Sequence, residues 1–192
     1  MRTRGSPRSA PGPTLGCAMS ARTHSFDLAP LNLRAGEARR AELEVPVDDF
    51  EFGGQTYVVS PSPLAVRLDI TRMVGGGWSL RLRFDATLEG PCMRCLEPAS
   101  PTYGIDAREV DVPEADPPSA ELESPYVENS VIDVAAWTRD ALALALGPQI
   151  LHDPDCRGLC PECGVNLNLE PDHEHERAPD PRWAALRDLK LD

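Results

Sequence analysis

Nowhere in the 192 residues does an apolar run approach the roughly 20 residues that a membrane-spanning helix needs, so the sequence reads as that of a cytoplasmic protein with no membrane span. Residues 1–19 carry Arg2, Arg4 and Arg8 but lack the apolar core of a secretion signal, about 7–15 residues long. Leu15-Gly16-Cys17 has the outline of a lipoprotein cleavage box, but no apolar run precedes it. This stretch is expected to be a disordered extension, with Met19 as an alternative start. Without a secretion signal, clustered cysteines point to metal or redox chemistry rather than to a disulfide framework. Aromatic residues are sparse at 5%. No Gly-rich phosphate loop, nucleophile elbow or His-Glu zincin motif is present, and the carboxylates are scattered rather than paired. Enzyme is therefore the minority reading.

Basic charge is also scarce. Lys and Arg number 19 against 31 Asp and Glu, a net charge of −12. The three early arginines have no acidic neighbours, so residues 20–192 hold 16 basic and 31 acidic groups, a net −15. Such a body repels polyphosphate at long range. The expected partner is a basic protein, with no broad grip on nucleic acid; direct RNA contact is left open and no nucleic-acid-binding residues can be named. The length suits one domain, residues 20–192, with one ordinary core.

What is present is a β-rich pattern. Leu64, Val66, Leu68 and Ile70 alternate with polar neighbours, as do Leu80, Leu82, Phe84, Ala86 and Leu88. Gly75-Gly76-Gly77 lies between them, which predicts a hairpin with one buried and one wet face. Strands are also expected at 40–48 and 101–110, with a short strand and loop in 22–33. Residues 111–130 interleave Pro113, Pro117, Pro118 and Pro125 with acids and read as a flexible acidic loop. A mostly buried helix is expected over 131–146, with Asp133 able to cap it and Gly147-Pro148 stopping it. A second, short helix follows Asp180-Pro181, with Trp183, Leu186 and Leu189 on one stripe. The fold class is thus α+β: an antiparallel β meander with one or two helices and a C-terminal zinc knuckle in a zinc-binding segment at 148–170.

The strongest chemical signal is the cysteine spacing. Cys92-Met93-Arg94-Cys95 is one C-x2-C hook, and Cys160-Pro161-Glu162-Cys163-Gly164 is another, with Cys156 four residues before it. Each hook offers two sulfurs from one tight turn, and zinc takes four such ligands in a tetrahedron. Cys92, Cys95, Cys160 and Cys163 are therefore the expected ligands of one structural Zn2+. Cys156 is the leading alternate and His152 a weaker one. A redox dithiol at Cys92 and Cys95 is a rival reading, but the strand-to-helix setting of thioredoxin-like sites is missing. His173 and His175, within Pro171-Asp172-His173-Glu174-His175-Glu176, read mainly as a solvated loop and secondarily as a second metal site. His24 stands alone.

These features together resemble the YceD family, the large ribosomal RNA subunit accumulation proteins of bacteria and plastids. The likeness runs from about Phe26 to Leu189. It includes Phe26-Asp27-Leu28, the hook Cys92-Met93-Arg94-Cys95-Leu96-Glu97-Pro98 and Val131-Ile132-Asp133. It continues through Cys156-Arg157-Gly158-Leu159-Cys160-Pro161-Glu162-Cys163-Gly164-Val165-Asn166-Leu167 and Asp180-Pro181-Arg182-Trp183-Ala184-Ala185-Leu186. The second hook is similar to that of actinobacterial members. The resemblance implies a role in synthesis, processing or accumulation of large-subunit (23S) ribosomal RNA and in ribosome assembly; the acidic charge, not the resemblance, then points to a basic ribosomal protein or assembly factor as partner. It implies no catalytic residues. Some relatives keep the first hook and lose most of the second, which raises the standing of Cys156. The alternatives are a general zinc-dependent protein adaptor and a metal- or thiol-dependent RNA-processing enzyme.

Overall fold

The computed structural model describes residues 24–112 and 122–175. Among the described residues, ten strands and one α-helix make an α+β fold. They are β1 (Ser25–Asp27), β2 (Ala38–Val45), β3 (Phe50–Phe52), β4 (Gln55–Ser60), β5 (Leu64–Arg72), β6 (Trp78–Pro91), β7 (Pro98–Ala99), β8 (Thr102–Asp111), β9 (Val127–Glu128), β10 (Val131–Asp133) and α1 (Val134–Ala145). All strand pairings are antiparallel.

The spine is β6. Its first half pairs with β5, its later residues 87–89 pair with β4, and its opposite edge is lined by β8 and then β7. β2 extends the sheet beyond β5, and β3 extends it beyond β4. The expected β5–β6 hairpin is present, with the triple glycine at its turn. Gly77 takes a left-handed φ of +76°, and a Cβ there would also lie 2.4 Å from the Asp111 carbonyl oxygen, so both backbone and space call for glycine.

Alternation produces two chemically distinct faces. Leu64, Val66, Leu68 and Ile70 of β5 are buried with Leu80, Leu82, Phe84, Ala86 and Leu88 of β6. Trp137, Ala141 and Leu142 of α1 join the same core. Each fully buried side chain of this size contributes about 1.5–3 kcal/mol. The opposite face carries cross-strand ion pairs: Arg40 and Arg83 on Asp69, Arg67 on Glu42, and Arg81 on Asp106.

Two expectations change. The helix starts at Val134, not 131, because Asp133 acts as its N-cap and accepts from the Ala136 amide at 2.9 Å. Residues 131–133 are instead β10, between β1 and β9. The acidic loop is accordingly shorter than 111–130. Asp111 and Ser124 are buried, and the Val112 amide donates to the Leu122 carbonyl at 2.6 Å. Residues 113–121 of the expected loop lie outside the described residues. The β3–β4 hairpin has no counterpart in the sequence reading. The extension 1–19 with Cys17, and the helix expected after Asp180, lie outside the described residues.

Candidate metal centres

The first hook sits where the longest strand ends. β6 runs out at Pro91, residues 92–97 turn, and β7 and β8 lead back along β6. The turn is closed by Cys92 N donating to the Glu97 carbonyl at 2.7 Å and Leu96 N to the Cys92 carbonyl at 3.0 Å. Leu96 takes a left-handed φ of 64°. The hook is therefore part of a hairpin turn, not the start of a helix as in a redox dithiol.

The chain after α1 is stitched onto this turn. Met93 N donates to the Ile150 carbonyl at 2.9 Å, and Ile150 itself is buried in the core. Arg94, between the two hook cysteines, donates from Nε to Gln149 Oε1 at 2.8 Å and from Nη1 to the Cys156 carbonyl at 2.9 Å. This stitching carries His152 and Cys156 to the hook. Cys92, Cys95 and Cys156 are buried, and His152 is exposed. Cys92 Sγ is 3.8 Å from Cys156 Sγ, and Cys95 Sγ is 3.3 Å from His152 Nδ1. All four donor atoms lie within 4.8 Å of one another.

The second hook forms a separate knuckle. Gly158, with φ +78°, reverses the chain after Cys156. Leu159 and Asn166 bridge the two arms, Cys160 N donates to the Val165 carbonyl at 2.8 Å, and Gly164 N donates to the Cys160 carbonyl at 2.8 Å. Gly164 supplies the left-handed φ of +76° that closes the knuckle. His173 and His175 come back to it. Cys160 Sγ lies 3.2 Å from His175 Nε2, and Cys163 Sγ lies 3.2 Å from His173 Nε2. These four donors also lie within 4.8 Å of one another.

The expected single set of Cys92, Cys95, Cys160 and Cys163 is thus not what the chain assembles. The hooks fall in two groups: Cys92, Cys95, His152 and Cys156, and Cys160, Cys163, His173 and His175. The two alternates, Cys156 and His152, complete the first hook together. The physical reason is local closure. The stretch 149–156 is bound to the hook by backbone and Arg94 hydrogen bonds, which hold its donors at the turn. The second hook then closes on histidines 10 and 15 residues away, over a short loop with a small closure cost. His24 belongs to neither group; its carbonyl accepts from the Ala135 amide.

The donor geometry can be tested against zinc. Bond lengths of about 2.3 Å to sulfur and 2.0–2.1 Å to nitrogen, at tetrahedral angles, give edges of about 3.8 Å for S···S, 3.5 Å for S···N and 3.3 Å for N···N. The Cys92–Cys156 edge of 3.8 Å and the Cys95–His152 edge of 3.3 Å match this figure closely. No pair of described cysteines is joined in a disulfide. The residues therefore fit a zinc-sized ion. With three sulfurs and one imidazole nitrogen, such a site has no open position for substrate.

Electrostatics at the first group are uneven. Burial works to raise the Cys92 pKa, but hydrogen bonds from the His152 side chain and from the Cys95, Arg94 and His152 backbone pull it down to about 6. Burial raises Cys95 to about 11, with Cys156 and Cys92 adding to the rise against a hydrogen bond from the Glu97 backbone. In the second group, backbone hydrogen bonds from Cys163 and Glu162 are the main cause of a Cys160 pKa near 6. A divalent cation displaces the remaining thiol protons, reinforcing the lowered values at Cys92 and Cys160 and overriding the rise at Cys95.

Sequence reasoning missed the supporting residues. Asn168 donates from Nδ2 to Cys156 Sγ at 3.5 Å and accepts from the Arg157 amide at 2.7 Å. Arg94 was visible only as a spacer between cysteines. The C-x2-C…H-x-H arrangement from Cys160 to His175 is the signal that could have revealed the second group.

Comparison with known proteins identifies the family and several relatives of the chain. The family model described as "Large ribosomal RNA subunit accumulation protein YceD" matches residues 80–190, which cover β6 from Leu80 onward, both hooks and all eight donors. Uncharacterized proteins of Mycobacterium tuberculosis and Mycobacterium bovis are 39% identical over 103 residues, 52% of this chain and 49% of theirs. An uncharacterized protein of Mycobacterium leprae is 27% identical over 168 residues, 85% of this chain and 76% of that protein. The chain spans about half the length of the first of these relatives that it matches, 49%. No solved structure matches it.

Proposed function

Since the chain belongs to the YceD family, we propose that it is a non-catalytic factor supporting accumulation of large-subunit ribosomal RNA, with a structural Zn2+ at Cys92, Cys95, His152 and Cys156. The observation that carries this reading is the coincidence of the family match, residues 80–190, with the long strand and the turn that builds the buried site. The zinc ties the segment after α1 to the end of β6 and has no vacant ligand position through which to act on a substrate. The protein works as a shaped surface. It acts in the cytoplasm, where ribosomes are assembled; no helix among the described residues is long and apolar enough to cross a membrane.

The net charge of −12 favours a basic ribosomal protein or assembly factor as partner over bare RNA. A strain carrying Cys92→Ser tests the functional reading. Ribosomal RNA profiling is expected to show a lowered ratio of large- to small-subunit RNA, as in a deletion strain. An unchanged ratio in the deletion strain rejects the role. Mixing the purified chain with naked ribosomal RNA and with basic large-subunit proteins at two salt concentrations tests the partner, and tight binding to RNA alone rejects it.

A further inference from the structure

We propose that Cys160, Cys163, His173 and His175 form a second zinc site, filled independently of the first, so that the folded chain carries two ions rather than one. Three observations support it. First, His173 Nε2 and His175 Nε2 lie 3.0 Å apart, and each is 3.2 Å from a cysteine sulfur. These edges are those of a slightly contracted tetrahedron around a zinc ion, whose N···N and S···N edges are about 3.3 and 3.5 Å.

Second, the outer nitrogens of both rings face carboxylates. His175 Nδ1 is 3.5 Å from Glu162 Oε2, and His173 Nδ1 is 3.8 Å from Glu170 Oε2. At these distances the carboxylates act through charge, not through hydrogen bonds, and still favour the tautomer with its proton on Nδ1, the sense seen at closer range in carboxylate–histidine–zinc arrangements. Both Nε2 atoms then present lone pairs to each other and to the two sulfurs. Four electron-rich atoms converging on one point repel unless a cation lies between them. Third, the backbone is already folded for the purpose. The knuckle turn at Cys160–Gly164 is closed by two hydrogen bonds, and Glu170 N and Leu169 N both donate to the Asn166 carbonyl, turning the chain back toward the knuckle.

The ion would close a loop from Cys160 to His175 in a stretch with no helix and no strand. It has two thiolate and two imidazole ligands, against three thiolates and one imidazole in the first group.

Zinc content of the purified full chain tests the proposal, with circular dichroism confirming the sheet. Two zinc ions per chain are expected for the wild type and one for the double variant His173→Ala/His175→Ala. The single variant His175→Cys is expected to keep two, because a thiolate can replace the imidazole. In the Co2+-substituted protein this variant should raise thiolate charge-transfer intensity from that of five sulfurs to that of six, a gain that mere loosening of the loop cannot produce. A wild-type content of one ion that survives the double histidine change overturns the proposal, as does an unaltered content of two. These readouts are independent of ribosomal RNA levels, so failure here leaves the functional reading to its own test.

Discussion

Arg94 donates from Nη1 to the Cys156 carbonyl at 2.9 Å, across 62 residues of sequence. The same guanidinium donates from Nε to Gln149 Oε1, and the Arg94 carbonyl accepts from the Leu159 amide at 3.2 Å. One residue inside the first hook thus holds the chain on both sides of the third thiol. Supporting groups of this kind fix the geometry of ligands they do not themselves provide.

Arg94→Ala should therefore weaken zinc binding at the first group while leaving all four ligands in place. Loss of outer-sphere partners typically lowers metal affinity by about 10–100-fold. Arg94→Lys should rescue little, because an ammonium cannot reproduce two divergent N–H bonds from a planar group. Competition with a chromophoric chelator measures the affinity. Wild-type affinity in both variants would show the clamp to be incidental.

Gly158 should not tolerate a side chain. Its φ of +78° is a conformation that L-residues rarely adopt, and a Cβ would lie 3.2 Å from the Arg94 carbonyl oxygen. The left-handed backbone alone costs about 1–2 kcal/mol, and this carbonyl is fixed by its bond to Leu159. Gly158→Ala is expected to destabilise the zinc-binding segment by more than this backbone cost, because the contact with the Arg94 carbonyl adds to it. Gly36→Ala has a similar φ of +84° with nothing within 4 Å of its Cβ, and serves as a control for the backbone contribution alone. Equal losses in the two variants would remove the role assigned to the Arg94 contact.

The sheet was legible because its signal is local. Period-two alternation over 64–70 and 80–88 states which face is buried, and a glycine turn states how the strands connect. The helix cap at Asp133 was legible for the same reason. The metal grouping was not, since spacing reveals that hooks exist but not which donors share an ion. That depends on the stitching of residues 149–156 to the turn after β6, made by Met93, Arg94 and Ile150, none of which is a ligand. Histidines in an acidic loop look solvated in sequence. Only the returning chain shows that His173 and His175 face two sulfurs. The β3–β4 hairpin is hard to read from the sequence because β3 spans only three residues, too few to show an alternation beside the strong pattern that follows.

Asp69 should give the sheet a measurable acid sensitivity. Partial burial works to raise its pKa, but the hydrogen bonds and charges of Arg40 and Arg83 together outweigh it and hold the carboxyl below the usual aspartate value. A depressed carboxylate pKa stabilises the fold at pH above the unfolded value, near 4, and that contribution is lost as pH falls through the folded value. Asp69→Asn removes the effect. Urea midpoints measured from pH 6 down to 3 should show the wild-type advantage over this variant shrinking below about pH 4. Changes in metal occupancy with acid are common to both proteins and cancel in the difference. A gap that widens on acidification would contradict the assigned direction.

Metal removal should unfold the chain in parts. The sheet has a core of its own: Leu64, Val66, Leu68, Ile70 and Leu82 are fully buried without any help from the cysteines. The stretch 149–175 has no helix and no strand, and its apolar anchors are few, chiefly Ile150, Leu151 and Leu159. Zinc binding contributes about 10–16 kcal/mol of folding free energy in small zinc peptides, far more than those anchors can replace. A strong chelator is therefore expected to abolish amide protection at Met93, Leu159, Cys160 and Gly164 while the β5–β6 and β6–β8 amides stay protected. The second group should empty first, since Cys163 and His175 are exposed whereas Cys92, Cys95 and Cys156 are buried. Hydrogen exchange followed during chelation distinguishes the stages: protection at Cys160 and Gly164 should disappear before protection at Met93. Simultaneous loss of all protection, sheet included, would mean that the ions hold the whole fold and not its last segment.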